Sequence, residues 1–215
     1  MRLVSVNVGL PREVTQGEEV VRTGIFKEPI EGRVILRRLN LDGDAQADLT
    51  VHGGPDKAVY AYPVENYDYW REQLPGRELP LGIFGENLTT AGLREDAVHI
   101  GDELRIGTAR LVITQPRLPC FKLGIRFGDP SMVGQFLASN RPGFYLAVLE
   151  EGELGPGDAV ERLHEDENRL TVTELLGLIV HEKTNGDVMR RALRVRHLAA
   201  VWRKKFESRL GQTKA

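Results

Sequence analysis

The sequence contains a single cysteine, Cys120, among 215 residues. One cysteine excludes an intramolecular disulfide, and it also excludes a four-cysteine zinc or iron–sulfur site built within one chain. No apolar run approaches the ~20 residues that a membrane-spanning helix requires. The first residues alternate like a strand and show no basic-then-apolar signal pattern. We therefore expect a cytoplasmic protein that has no membrane partner.

Several common catalytic motifs are also absent. The chain has no Gly-x-Ser-x-Gly nucleophile elbow, no Walker phosphate loop and no dinucleotide-binding fingerprint. Four of the histidines, His99, His164, His181 and His197, fall in unrelated segments and give no two-histidine metal spacing. These absences leave Cys120 as the most informative residue.

The hydrophobic pattern predicts a mainly β (α+β) protein. Residues 3–8 and 144–149 are predicted strands, and apolar residues two apart between 98 and 113 are broken by glycine turns, which is typical of hairpins. Short helices are predicted at 65–74 and 131–138. Many short strands with few helices favour a closed or nearly closed β-barrel over residues 1–165.

The last part of the chain, residues 166–215, is predicted to form a small three-helix domain. Thr171 followed by Glu174 is a capping-box signature at a helix start. A second helix is predicted at 187–195. A third, from Arg196, is predicted to present one apolar face formed by Leu198, Val201, Trp202, Phe206 and Leu210. Lysine and arginine are in excess in this region.

Cys120 lies in a stiff, basic stretch. Arg117 precedes it, Lys122 follows it, and Pro116 and Pro119 restrict the backbone that leads to the sulfur. Nearby cations stabilise a thiolate, which is the reactive and metal-binding form of cysteine. The alternative is that Cys120 is simply a small buried hydrophobic residue, which is common for free cysteines.

Three other segments carry residues suited to a ligand. The segment 52–57 combines two glycines with His52 and Lys57, so it can approach an anion or form an ordinary glycine turn. The segment 84–89 can offer Asn87 to a heterocycle, or form a turn with a local side-chain bond. Arg141 and Tyr145 lie at the start of a predicted strand, where the arginine is suited to phosphate binding or to a surface ion pair.

Four motifs in this order resemble those of the MOSC family, named for the C-terminal domain of molybdenum cofactor sulfurase. They are His52-Gly-Gly-Pro-Asp-Lys57, Phe84-Gly-Glu-Asn-Leu-Thr89, Gly101-Asp102 with Arg105-Ile-Gly107, and Gln115-Pro-Arg117 with Pro119-Cys120 and Lys122-Leu123. With its helical tail the chain is most similar to the bacterial YiiM-like members. The resemblance implies a MOSC β-barrel followed by a three-helix domain.

The resemblance also implies a function. Such a protein would bind the molybdenum cofactor (Mo-molybdopterin) and reduce N-hydroxylated substrates, namely 6-hydroxylaminopurine-type bases, hydroxylamines or amidoximes, to amines. The family's metal-binding cysteine falls on Cys120, whose thiolate would be a soft metal ligand. Candidate contacts to the pterin and its phosphate are Asn7, His52, Lys57, Asn87, Arg117, Lys122, Arg141 and Tyr145.

Reduction requires electrons and protons. The chain has no iron–sulfur, nicotinamide or flavin motif, so we expect an external electron-donor reductase, which the basic third helix would attract. Glu86 or His52 is the predicted proton donor.

Two alternative functions remain: a carrier or delivery protein for the cofactor that has no turnover of its own, and a nucleic-acid-binding module. We expect no nucleic-acid partner, because the basic tail lacks interleaved aromatic residues.

Overall fold

A computed structural model describes residues 1–46, 53–181 and 184–212 of the chain. The strands, in chain order, are β1 (Arg2–Val8), β2 (Arg12–Gln16), β3 (Glu19–Thr23), β4 (Glu28–Pro29), β5 (Val34–Leu36), β6 (Val59–Pro63), β7 (Leu88–Ala91), β8 (Glu103–Ile106), β9 (Ala109–Pro116), β10 (Phe144–Glu150), β11 (Gly152–Leu154) and β12 (Val160–His164). The helices are α1 (Glu65–Gln73), α2 (Phe121–Phe127), α3 (Met132–Ala138), α4 (Val172–Val180), α5 (Gly186–Arg194) and α6 (Ala200–Gln212), and a 3-10 turn spans Pro55–Lys57.

Eight strands form one sheet in the order β12-β8-β9-β10-β6-β7-β1-β4. Neighbouring strands are antiparallel except for the parallel pair β6 and β7. Two short ribbons, β2 with β3 and β5 with β11, lie outside this sheet.

The sheet closes on itself where β1 meets the segment that leads into β12. The backbone N–H of Leu3 donates to the carbonyl of Asp158 at 2.8 Å, and the N–H of Gly157 donates to the carbonyl of Leu3 at 2.8 Å. The N–H of Val160 donates to the carbonyl of Met1 at 3.0 Å. Closure removes exposed strand edges at this position, and the predicted β-barrel is confirmed.

Strand β9 is buried along almost its whole length, which is unusual for a strand that has only one face toward a barrel interior. The reason is that the helical domain packs on its outer face, so side chains such as Leu111, Val112 and Ile113 are all fully buried. The barrel interior and the helical domain share one contiguous hydrophobic cluster, which includes Trp202 and Phe206 of α6. Burial of α6 supplies the stability that so short a bundle lacks alone.

A second cluster, rich in aromatic side chains, covers the opposite side of the barrel wall. It joins Tyr60 and Tyr62 of β6 to residues of the helices α1, α2 and α3. The rings of Trp70 and Phe136 stack with centroids 5.8 Å apart and an angle of 6° between their planes. The residues that precede and follow Cys120 pack against this aromatic layer.

The first helix of the C-terminal region, α4, has the predicted capping box. Thr171 Oγ1 accepts a hydrogen bond from the N–H of Glu174 at 3.0 Å, and Glu174 Oε2 accepts one from the N–H of Thr171 at 3.0 Å. The prediction for the third helix was wrong in two respects. The helix begins at Ala200 rather than at Arg196, and Val201 is 52% exposed instead of lying on the apolar face. Trp202 and Phe206 are four residues apart and define the buried face, and Val201 is rotated away from it.

Within the described ranges, no helix has both the length and the apolar character needed to cross a membrane.

Candidate functional site

One cleft brings together several of the motifs that are separated in the sequence. It lies between the end of β9, the start of β6 and the segment that follows β3, and its empty volume, part of it open to solvent, is about 720 Å³. Residues with polar or reactive side chains on its walls include Lys27, Asp44, Lys57, Tyr60, Asn87, Arg117, Cys120, Lys122 and Tyr145.

Cys120 stands at the start of α2, in the position that caps the helix. Its backbone is extended (φ −128°, ψ 174°), and its carbonyl accepts a hydrogen bond from the N–H of Leu123 at 2.9 Å. The thiol is half-buried and lines the cleft. Leu118 and Phe121, on either side of it in sequence, are 38% and 52% exposed. Cys120 is thus held at the cleft wall and is not enclosed in the hydrophobic core.

Arg117 is a buried cation without an acidic partner in the described part of the chain. It is 5% exposed. Its guanidinium carbon lies 5.3 Å from the ring centroid of Tyr60 and 4.9 Å from that of Phe136. Its Nη1 atom is buried and has no hydrogen-bond partner among the described residues. An unneutralised buried charge is costly, so this arrangement is suited to an anion that enters the cleft.

Lys57 and Tyr145 form another wall. The Lys57 ammonium lies 6.0 Å from the centroid of the Tyr145 ring, which in turn lies 5.4 Å from the ring of Tyr60. Burial lowers the pKa of Lys57, and the Asp56 carboxylate opposes that shift. Burial raises the pKa of Tyr145, and the nearby Arg117 opposes that shift. The phenol is therefore a neutral hydrogen-bonding group at ordinary pH.

The side chain of Asn87 is held in place by hydrogen bonds to neighbouring residues of the cleft wall. Its Oδ1 accepts from the N–H of Tyr60 at 3.1 Å, and its Nδ2 donates to Asp44 Oδ2 at 2.9 Å and to the carbonyl of Asn7 at 3.4 Å. Asn7 lies one layer further back and is fully buried. Its Nδ2 donates to the carbonyl of Glu86 and to Thr89 Oγ1, at 3.2 and 3.1 Å. Asn7 therefore supports the wall of the cleft and does not line it.

Glu86 is also behind the wall, with no exposed surface. Its Oε1 accepts from the hydroxyl of Tyr67, from the N–H of Gly82 at 2.9 Å and from Thr89 Oγ1 at 3.1 Å. Its Oε2 has no hydrogen-bond partner among the described residues. Burial raises the pKa of Glu86, and the Tyr67 hydrogen bond is the largest of the opposing effects.

Like Asn7, Arg141 is a cofactor contact proposed from the sequence that does not line the cleft. The side chain of Arg141 donates to Asn66 Oδ1 at 3.2 Å and lies 4.7 Å from the ring centroid of Tyr69. Left-handed backbone at Asn140 (φ 52°) and Gly143 (φ 62°) turns the chain on both sides of Arg141. His52 lies outside the described residues.

The sequence patterns missed Lys27 and Asp44. The Lys27 ammonium donates to Asp44 Oδ1, which also accepts from the N–H of Gly9 at 3.1 Å. The two side chains are 9% and 3% exposed, yet both line the cleft. Lys27 and Asp44 lie in two loops that are separated in sequence by β4 and β5. Their pairing therefore leaves no local motif in the sequence.

The charges on the cleft wall do not balance. Among the described residues, four cations (Lys27, Lys57, Arg117 and Lys122) face one carboxylate, that of Asp44. A partly desolvated cleft with excess positive charge attracts and retains anions.

Comparison with protein families matches two segments of the chain. Residues 48–161 match the MOSC domain, and residues 170–212 match the YiiM-like, 3-alpha helix domain. The chain belongs to the MOSC-domain family. Both segments agree with the family resemblance drawn from the sequence motifs, which is confirmed.

Individual relatives cover from three quarters to nearly all of the chain. "Uncharacterized protein YflK" from Bacillus subtilis (strain 168) is 42% identical over 204 residues, which is 95% of this chain and 92% of that protein. The crystal structure of YiiM from Geobacillus stearothermophilus superposes with a TM-score of 0.81 and 33% identity, over 97% of this chain and 98% of that one. A protein named "Reductase" from Gibberella moniliformis (strain M3125 / FGSC 7600) is 32% identical over 164 residues, which is 75% of this chain and 29% of that protein.

The metal-binding side chains of the MOSC domain indicate which kind of metal site fits the cleft. Among the described residues, no group of three or more His, Cys, Asp or Glu side chains could hold a metal ion. Cys120 lines the cleft as a single thiol, a donor suited to a metal whose other ligands come from a bound cofactor. An anionic metal–pterin group would supply those ligands and would also neutralise the orphaned Nη1 of Arg117, so the residues present fit a molybdenum cofactor.

Proposed function

We propose that this protein binds the molybdenum cofactor in the cleft and reduces N-hydroxylated compounds to amines in the cytoplasm. The observation that carries the proposal is the position of the half-buried Cys120 in one cleft with four cations, one of which, Arg117, is buried without an acidic partner among the described residues. A thiolate and a set of cations are what a pterin-borne, negatively charged metal group requires.

In this proposal each wall of the cleft has a separate role. The Cys120 thiolate ligates the metal, and Arg117 with Lys122 stabilises that thiolate and the charge of the group it holds. Lys57 and Tyr145 contact the pterin or its phosphate, Asn87 and Asn7 keep that wall rigid, and Lys27 adds a fourth positive charge. When bound, the molybdenum cofactor supplies a two-electron couple for cleaving an N–O bond.

The balanced reaction consumes two electrons and two protons for each hydroxylamine, and it releases one amine and one water. The MOSC relative from Gibberella moniliformis that carries the name "Reductase" supports assignment of a redox reaction. We propose that an external reductase supplies the electrons, since the sequence shows no flavin or nicotinamide motif. His52 and Glu86 stay candidates for the proton donor. For Glu86 the proton would have to cross the cleft wall, since this carboxyl is fully buried.

The test begins with metal and pterin analysis of the native protein beside Cys120→Ser. We expect molybdenum and pterin in a 1:1 ratio in the native protein. We expect a folded serine variant with little molybdenum, because a hydroxyl is a poor substitute for a soft sulfur ligand. Arg141→Gln is the matched cation control, since it removes an arginine that does not line the cleft, and its molybdenum content should equal that of the native protein.

The second stage measures turnover. Chemically reduced, loaded protein is mixed with 6-hydroxylaminopurine, and both reoxidation of the metal and formation of adenine are followed. Reoxidation that depends on substrate supports the enzyme. Bound metal and pterin without reoxidation by any N-hydroxylated compound would instead indicate a carrier or delivery protein, and absence of both from protein made in a molybdenum-replete host would refute the proposal.

A further inference from the structure

The turn that carries Lys57 is attached to the helical domain through Asp56. The Asp56 Oδ2 atom accepts a hydrogen bond from the backbone N–H of Ala200 at 2.9 Å. Ala200 is the first residue of α6, and the first N–H groups of a helix have no partner within that helix. A side chain from the barrel domain therefore caps a helix of the other domain.

The same contact region also includes the end of β9. The carbonyl of Asp56 accepts from Thr114 Oγ1 at 2.7 Å and from Gln115 Nε2 at 3.4 Å. Gln115 Oε1 accepts from the indole N–H of Trp202 at 2.9 Å, and the carbonyl of Thr114 accepts from the N–H of Ala199 at 3.3 Å. Thr114, Gln115 and Trp202 are 1%, 3% and 6% exposed, so the bond between Trp202 and Gln115 is shielded from competing water. The bond between Asp56 and Ala200 is at the surface.

The two segments that α6 joins, the Lys57 turn and the end of β9, both lead to cleft residues. Lys57 follows Asp56 directly, and the chain that leaves β9 after Gln115 continues to Arg117 and Cys120. Both branches reach the cleft wall. A shift of α6 would therefore move the Lys57 turn relative to Cys120.

We propose that Asp56 is a positioning residue that locks Lys57 onto the start of α6, so that the helical domain sets the charge presented to Cys120. This inference rests on the proposed function only in treating Lys57 as a cation that faces the bound cofactor. It assigns a role to the helical domain, whose described residues contribute no side chain to the lining of the cleft.

The test uses the chain's single thiol as a probe of the cleft. Ligand-free protein is alkylated with iodoacetate, which is anionic, and separately with iodoacetamide, which is neutral. The ratio of the two rates measures the positive charge around Cys120 and cancels most changes in its exposure. Lys57→Met should lower this ratio by about twofold, as expected for loss of one charge that lines the same solvent-accessible cleft.

Asp56→Ala distinguishes positioning from simple electrostatics by the sign of its effect. Loss of a nearby negative charge alone would raise the ratio. Displacement of Lys57 would lower it, and we expect a fall toward the value of Lys57→Met. Asp56→Asn keeps an oxygen acceptor for the N–H of Ala200 and should show no fall. In the Lys57→Met background, Asp56→Ala should no longer lower the ratio.

Ala200→Pro removes the donor of the same hydrogen bond and leaves the charge of Asp56 in place. Proline is accepted at the first position of a helix, so we expect a folded protein with the same lowered ratio. Asn185→Ala is the matched control, because it removes a comparable cap, the bond from the N–H of Val188 at 3.2 Å, from the start of α5. This control should leave the ratio unchanged.

Three results would overturn the inference: an unchanged or raised ratio in both Asp56→Ala and Ala200→Pro, an equal fall in Asn185→Ala, or no effect of Lys57→Met. Far-UV circular dichroism verifies that each variant is folded. Because the protein carries no cofactor in these measurements, the outcome stands whether or not molybdenum binding and N-hydroxyl reduction are established.

Discussion

Lys27 and Asp44 form an ion pair inside the cleft wall, where their side chains are only 9% and 3% exposed. The pair connects the segment after β3 to the turn that follows β5, and the second oxygen of Asp44 holds Asn87 in place. Removal of one member of such a pair leaves a buried charge without compensation, which is far more damaging than removal of both.

We therefore predict that Asp44→Ala lowers the free energy of unfolding by about 3–5 kcal/mol, measured by urea denaturation. The double variant Lys27→Met with Asp44→Leu should recover most of this loss, because two apolar side chains replace the two charges. Asp42→Ala is the control, since it breaks the solvent-exposed pair with Arg37 and should leave the denaturation midpoint unchanged. An Asp44→Ala midpoint equal to that of Asp42→Ala would show that the buried pair contributes nothing.

Arg117 should affect stability and binding in opposite directions. Its Nη1 atom has no partner among the described residues, so Arg117→Met should raise the free energy of unfolding of the ligand-free protein, by about 1–4 kcal/mol. The same variant should be purified without molybdenum. Urea denaturation and metal analysis are carried out on one preparation, and a destabilised Arg117→Met would mean that contacts with Tyr60 and Phe136 outweigh the cost of burying the charge.

The buried Glu86 predicts a pH dependence of stability. Because burial raises the pKa of its carboxyl, the protonated form is the one that favours folding. Its contribution is complete below the ordinary range of a glutamic acid and is lost as the pH rises through the raised pKa. Glu86→Gln cannot ionise, so the stability of this variant relative to the native protein should increase with pH across that window and level off above it.

The measurement compares urea midpoints of the native protein and Glu86→Gln from about pH 4 to about pH 9. Glu95, whose pKa is also raised by burial, is present in both proteins, so its contribution cancels in the difference. A difference that is constant with pH would show that Glu86 titrates in its ordinary range.

Gly9 should not accept a side chain. An alanine Cβ at this position would lie 2.2 Å from the carbonyl oxygen of Phe26, the residue before Lys27. We expect Gly9→Ala to cost about 1–3 kcal/mol in the free energy of unfolding, because β1 must separate from the chain at Phe26. Gly134→Ala, on the exposed face of α3 with no atom within 4 Å of the new Cβ, should stabilise by about 1 kcal/mol. Similar midpoints for the two variants would contradict this description of Gly9.

Features that depend on neighbouring residues were predictable from the sequence. The Thr171 and Glu174 capping box needs only a hydroxyl and a carboxylate three residues apart, and the hairpin between β8 and β9 needs a glycine at a tight turn, supplied by Gly107 (φ 59°). Arg117, Cys120 and Lys122 are close in sequence, so their common position on the cleft follows from the short segment that they share.

Features that depend on distant contacts were not predictable. The Lys27 and Asp44 pair forms across two loops, and no local pattern marks either residue. Helix α2 has only seven residues and carries Gly124 in its interior, so its intrinsic preference is weak and it depends on the aromatic cluster for stability. Arg141 follows the expected motif, yet left-handed backbone at Asn140 directs its side chain toward Asn66.

The bonds that close the barrel, from Leu3 to Asp158 and from Met1 to Val160, constrain how the protein is made. Strand β1 precedes the other barrel strands in the chain, and it completes its hydrogen bonding only with residues 157–160, which come more than 140 residues later. Until residues 157–160 are made, part of one edge of β1 stays unpaired, and an unpaired strand edge favours aggregation. Folding should accordingly be slow, because the contact that completes the ring has the longest loop to close.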